Sequence, residues 1–189
     1  MNYPETFIVY IDLIDWAKLF LASQEDAINR LAQFQRFARA QLEGDNYLSF
    51  VVTFADNVWA RCLKSRASLK DLLDKTIEVV EYGKNNGLKP WCVVTSGWLY
   101  FDILDQSITT GASVTDIRSQ HISGIGDAQV RASCAAKTRR LIENVVWVER
   151  QLCADIIGTY DTGSVVNLAG EEKWPFTDRT EFISIAKKT

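Results

Sequence analysis

Two aspartates interrupt stretches that are otherwise apolar. Asp12 closes the run TFIVYID at residues 6 to 12, and Asp56 falls inside FADNVWA at residues 54 to 60. Carboxylates held close together repel each other, and a divalent cation removes the repulsion. Two such cations can be held this way for phosphoryl or nucleotidyl transfer, activating an attacking oxygen and neutralising phosphates. Each aspartate also has a plainer reading. Asp56 and Asn57 are good turn formers that bond their own backbone, and Asp12 or Asp15 can cap the helix that follows.

The elements that must position them follow from periodicity. Residues 6 to 12 are β-branched, apolar and aromatic, the pattern of a central strand with Asp12 as its last residue. Apolar residues then recur at three and four from Trp16 to Leu42, which predicts a helix in two parts around Ser23, ended by EGDN and Gly44. Residues 47 to 63 predict two strands joined tightly around Phe54 to Asn57. Asp12 at a strand end and Asp56 at a hairpin can converge on one sheet edge. The helix that starts just after Asp12 has free backbone N–H groups for a triphosphate.

Beyond Ser68, a capping residue, SLKDLLDKTIEVVEYGKNNG predicts an amphipathic helix that stops in the region of Gly83 and Gly87. PWCVVTSGWLYFDI predicts a second strand pair around Ser96 and Gly97, and residues 103 to 119 a polar excursion. GIGDAQVRASCAAKTRRLIE predicts a helix, VVWV a strand, ERQLCADII a short helix and TEFISIA a last apolar run. The order β-α-ββ-α-ββ-α-β implies an α/β or α+β sandwich in which helices cover one side of a largely antiparallel sheet.

Composition narrows the chemistry. With 189 residues, 47% hydrophobic and 24% charged, the chain suits one domain over residues 1–189 with a core of its own. A formal charge of −3 argues against nucleic acid as a partner. Asp12, Asp15 and Lys18 break the longest apolar stretch, so neither a membrane span nor a signal peptide is expected and the protein reads as cytoplasmic. Cys62, Cys92, Cys134 and Cys153 are scattered and His121 is the single histidine, read as a structural loop residue. No zinc pattern results, and any metal must be a hard cation on carboxylates.

At this point the residues resemble the class III nucleotide cyclase domain, most closely the stand-alone pyrimidine cyclases of bacterial Pycsar anti-phage systems. YIDLIDW is similar to the family's F-x-D-I-x-G-F segment, with Asp12 in the first metal position. FADNVWA resembles its hairpin, with Asp56 in the second metal position, 44 residues further on. CVVTSGWLYFD resembles the I-x-x-G-x-V strand pair, and GDAQVRASCAAK the G-x-x-x-N-x-A helix start, with Gly126 and Ala132 in register. The likeness spans about residues 6 to 145. It implies a ferredoxin-like cyclase fold, two Mg2+ or Mn2+ ions on Asp12, Asp56 and Leu13, and a head-to-tail homodimer whose sites draw on both subunits.

The departures carry information. Asp15 stands where the family has glycine. Val52 occupies the position of the purine-selecting Lys, and the base-reading Asp falls near Ser123. The transition-state Asn and Arg fall on Val130 and Cys134. Loss of the purine readout with both metal aspartates kept implies a pyrimidine substrate, UTP before CTP, cyclised to 3′,5′-cyclic UMP with release of pyrophosphate. The product would be a second messenger for a separate effector.

Further residues could complete the site. Lys137 follows Val130 by seven positions and returns to its helix face, so it can replace the missing cation, while Arg131 can reach a phosphate; a solvated basic face is the alternative for both. The turn of Leu13, Ile14, Asp15 and Trp16 would take the triphosphate. Arg61 can touch phosphates or be an ordinary edge-strand arginine. Phe50, on the side of Val52, is preferred to Tyr47 for stacking a base, with Phe54 more a core residue. Two rivals stay open: a non-catalytic nucleotide-binding module on the same fold, and a two-metal nuclease drawing on Asp155 and Asp161.

Overall fold

The run that ends near Asp12 is a strand, β1 (Glu5–Leu13), and it lies in the middle of a seven-stranded sheet. The computed structural model describes residues 5–43, 50–65, 68–98, 100–107, 118–125, 127–138, 140–154 and 156–188, with backbone alone at 50, 54, 100–107 and 118–125. Tyr47, Gly126 and Asp155 lie outside the described residues, as does the middle of the polar excursion.

After β1 the chain forms α1 (Trp16–Ala22) and α2 (Gln24–Leu42), parted at Ser23, whose extended backbone breaks the helix where its apolar period shifts. The predicted hairpin is β2 (Phe50–Phe54) and β3 (Asn57–Leu63), joined by Ala55 and Asp56 alone. α3 (Leu69–Asn85) begins at Ser68, whose Oγ accepts from the Asp71 N–H at 3.4 Å, and ends before Gly87, which takes φ 72° as a C-terminal glycine does.

Several expectations needed correction. β4 (Pro90–Trp98) runs straight through Ser96 and Gly97 instead of turning there. A Cβ on Gly97 would strike the Asp127 carboxylate, so this glycine makes room for a neighbour and is not a turn. β5 (Tyr100–Ser107) pairs with β6 (Arg118–Ile125) in a separate ribbon, so strands flank what the polar composition suggested was loop. α4 (Asp127–Thr138) stops short of Glu143, and single 3-10 turns at Arg150–Leu152 and Ile157–Thr159 stand where a short helix was expected over residues 149 to 157.

The sheet order is β2-β3-β1-β4-β7-β9-β8, with β7 (Val146–Glu149), β8 (Tyr160–Asn167) and β9 (Glu181–Lys187) completing it. Among the described residues only β4 and β7 pair in parallel. β8, polar and largely exposed, gave no apolar signal and was missed.

Helices cover both faces of the sheet, not one. Phe7, Val9, Ile11 and Leu13 of β1 pack with Phe34, Leu73 and Ile77 of α2 and α3. Ile8 turns to the other face, where Trp91 and Val93 of β4 meet Ala128, Ala132 and Ala135 of α4, together with Leu168 and Trp174. The unbroken apolar runs of β1 and β4 record this, because a strand covered on both sides has no reason to alternate. Among the described residues no helix is long and apolar enough to cross a membrane.

Candidate active site

β1 delivers Asp12 to the end of the sheet, and the β2–β3 turn delivers Asp56 beside it. In the β1–β3 ladder Asp12 is the direct partner of Asn57, the residue after Asp56, and on its other side it faces Trp91 of β4. The turn is held from outside. Ala55 takes φ 49°, a left-handed backbone that costs a residue with a Cβ about 1–2 kcal/mol, and Gln35 Nε2 on α2 donates to its carbonyl at 2.5 Å.

Both carboxylates are half-buried. Burial raises the Asp12 pKa, the Asp56 charge raises it further, and a hydrogen bond from the Leu13 N–H opposes the two. The Tyr10 phenol is likewise pushed up by burial and by the charges of Asp12 and Asp56. Its hydroxyl donates to Asn57 Oδ1, and Asn57 Nδ2 donates to Asp56 Oδ1 at 3.0 Å. Two adjacent carboxylates whose charges oppose each other present hard oxygen donors, the set that suits Mg2+ or Mn2+ and not zinc. Among the described residues no three His, Cys, Asp or Glu converge on one cation position. Backbone carbonyls, water and a ligand's phosphates would have to supply the remaining donors.

In the turn after β1, Asp15 stands where the family that the sequence resembles has glycine. Asp15 has φ 61° and ψ 17°, the left-handed conformation in which Asp is one of the few tolerated residues. It does not cap α1. Its carboxylate instead reaches Lys18 Nζ at 2.7 Å and Lys89 Nζ at 3.1 Å, and these two lysines hold its pKa below the ordinary carboxylate range. The Ile14 N–H donates to the Lys89 carbonyl at 3.0 Å, tying the turn to the start of β4.

An open cleft of 660 Å³ joins these parts. Asp12, Leu13, Ile14, Asp15, Trp16 and Asp56, all expected at the site, line it together. Its opposite wall was not foreseen: Trp91, Ala136 and the segment Leu141 to Glu143. The sequence predicts that segment to be the end of a helix. It leaves α4 early, and the Asn144 N–H donates to the Pro90 carbonyl at 2.7 Å, with Asn144 at φ 63°. An Asn after a run of helix formers was the available signal, since Asn tolerates left-handed backbone.

Other expected residues fall elsewhere. Arg131 does not reach the cleft: it is buried, with Nε 2.7 Å from Glu149 Oε1 and Nη1 3.0 Å from Asp127 Oδ2, and its Nη2 donates to the Ser96 carbonyl. Its role is to bind α4 to β4 and β7, which corrects the expectation of a phosphate contact. Arg61 pairs with Ile8, four residues down β1 from Asp12 and so about 13 Å away along the strand. Val52 faces Trp59, and the backbone of Phe50 faces Arg61, on the sheet face that carries Asp12 but further from the cleft. Lys137 is exposed in the last turn of α4, next to Ala136, and Val130 is also exposed.

No protein-family model and no curated protein sequence matches this chain. Solved structures do. The guanylate cyclase domain of RhGC from Catenaria anguillulae in complex with GTP superposes with a TM-score of 0.67 at 11% identity, covering 99% of this chain and 98% of that one. A non-canonical dimeric guanylyl cyclase domain of the RhoGC fusion protein from the aquatic fungus Blastocladiella emersonii gives 0.69 at 11%, over 99% and 98%. A bacterial light-regulated adenylyl cyclase gives 0.67 at 14%, over 100% and 94%. At such identities the likeness is one of fold. The mixed seven-stranded sheet with its four helices, carrying Asp12 and Asp56 at one end, is the class III nucleotide cyclase fold.

Proposed function

We propose that the chain is a nucleotide cyclase, a phosphorus–oxygen lyase acting on a ribonucleoside triphosphate. The observation that carries this reading is the meeting of Asp12 and Asp56 in one cleft at one end of a cyclase-type sheet. In the reaction the ribose 3′-oxygen attacks the α-phosphorus of the same nucleotide. The O3′–P bond forms, the P–O bond to the β-phosphate breaks, pyrophosphate leaves and the 3′-hydroxyl proton is lost. Asp12 and Asp56, with the Leu13 carbonyl, would hold Mg2+ or Mn2+. Bound there, the cations supply Lewis acidity that lowers the pKa of the hydroxyl and screens the phosphates. The turn from Leu13 to Trp16 would position the triphosphate, and Lys137 would offset charge building on the phosphorus oxygens.

The proposed substrate is a pyrimidine nucleotide, UTP before CTP. Val52 supports this, since it places an aliphatic side chain opposite Trp59 where the purine cyclases that the sequence resembles carry a Lys. A homodimer is part of the proposal, since one neighbour is a non-canonical dimeric cyclase domain, and composite sites follow from the family that the sequence resembles. Cyclic UMP would serve a separate effector as a second messenger, in the manner of the anti-phage systems the sequence resembles. One observation favours a second reading, a nucleotide-binding module without turnover: Glu149 and Asp127 engage the Arg131 guanidinium, which removes one candidate cation.

The test is incubation of the purified protein with each of the four ribonucleoside triphosphates and Mn2+, with products identified by mass spectrometry and Asp56→Ala alongside. A cyclic pyrimidine monophosphate that is absent from the mutant reaction is expected. Nucleotide binding with no product would leave the binding module standing.

A further inference from the structure

Tyr10 lies two residues before Asp12 on β1 and so projects from the same sheet face. It is firmly placed. Its ring centroid is 4.1 Å from that of Trp59 and 5.9 Å from that of Trp91, which meets it edge-on, and Trp91 Nε1 is bonded in turn to the Leu141 carbonyl at 2.9 Å. From this fixed ring a hydrogen-bond chain runs outward, from the Tyr10 hydroxyl to Asn57 Oδ1 and from Asn57 Nδ2 to Asp56 Oδ1 at 3.0 Å. Only one orientation of the Asn57 amide serves both neighbours. An ionised carboxylate can only accept, so it takes the NH2, and the phenol must then donate to the amide oxygen.

We infer that Tyr10 is a positioning residue for Asp56, setting the rotation of that carboxylate through Asn57 and leaving Oδ2 as the oxygen available to a cation. The inference rests on the reading of Asp12 and Asp56 as cation ligands. Asp56 needs such a device because it sits on a two-residue turn, where no neighbouring strand fixes its side chain. Supporting hydrogen bonds of this type typically change metal affinity 10- to 100-fold when removed.

The experiment follows Mn2+ binding, through the loss of the free-ion electron paramagnetic resonance signal, in the wild type, Tyr10→Phe, Asn57→Ala, the double variant and Asp56→Ala. Melting curves in metal-free buffer accompany each. Asp56→Ala is expected to lose measurable binding. Tyr10→Phe, which keeps the ring and loses only the hydroxyl, should bind Mn2+ about tenfold more weakly while melting close to wild type. The double variant should bind no more weakly than Asn57→Ala, because the phenol acts through the amide. Wild-type affinity in Tyr10→Phe beside lost binding in Asp56→Ala overturns the positioning role and leaves the metal reading intact. Wild-type affinity in Asp56→Ala overturns both. If Tyr10→Phe does not fold, Asn57→Ala decides alone, and unchanged affinity there is equally fatal.

Discussion

Asp12 and Asn57 face each other across the β1–β3 ladder, which sets Asp56 one residue from the strand partner of Asp12. Two carboxylates far apart in sequence thereby share one cleft.

Asp12 is held ionised at a cost. Its pKa is raised above 3.8, first by burial and then by Asp56. A group of this kind contributes most to stability below its unfolded pKa, and that contribution is lost as pH rises through the folded value. In metal-free buffer Asp12→Asn should therefore melt above wild type at pH 7, by about 2–4 °C for each kcal/mol relieved in a chain of this size. The gap should close as the pH is lowered toward 3.8. Melting curves across pH check this, and Mn2+ should stabilise the wild type but not the variant.

Asp15 combines a left-handed backbone with two exposed lysine contacts. Such exposed pairs are screened by water and contribute little, no more than the backbone penalty that glycine would remove. Asp15→Gly should leave stability to urea unchanged or higher, whereas Asp15→Val should lower it by about 1–2 kcal/mol. The glycine variant also removes a negative charge from the turn and releases Lys18 and Lys89, so a severalfold lower KM for the triphosphate is expected.

Arg131 and Glu149 form a buried pair at 2.7 Å, and Glu149 Oε2 also accepts the Ser96 N–H at 3.1 Å. Removing one partner strands a charge, at about 3–5 kcal/mol. Arg131→Ala should melt roughly 10 °C below wild type. Arg131→Met with Glu149→Leu should regain most of that loss, and its turnover per folded molecule should stay near wild type. A collapse of turnover in the stable double variant would return Arg131 to the reaction.

Lys137 offers the opposite case. It is exposed, so Lys137→Ala should change stability by no more than about 0.5 kcal/mol. If it faces the transition state, kcat should fall by about 10²–10³ with little change in KM. Steady-state kinetics beside a melting curve separate the two effects, and an unchanged kcat would exclude Lys137.

Much of the positioning frame was legible because it is local. The apolar run through Ile11 marks β1, the Ser68 cap and Gly87 bracket α3, and the shortness of the stretch between Phe54 and Asn57 forces a hairpin with Asp56 at its tip. Gly97 misled for the complementary reason. A glycine that clears space for Asp127, thirty residues away, looks in sequence like one that makes a turn. Arg131 misled in a similar way, since periodicity assigns it to a helix face but says nothing of the acids waiting there.

What the sequence by itself determined is the elements from β1 to α3 and the two aspartates at their ends, because hydrophobic period, capping and turn chemistry act over a few residues. Tertiary structure alone decided which side chains share a space. It placed Trp91 and the Leu141 to Glu143 segment opposite Asp12, drew Arg131 away into the pair with Glu149, and linked Tyr10 to Asp56 through Asn57. These contacts join residues far apart in the chain, and their energies come from burial, charge pairing and hydrogen-bond geometry, which exist only once the sheet has formed.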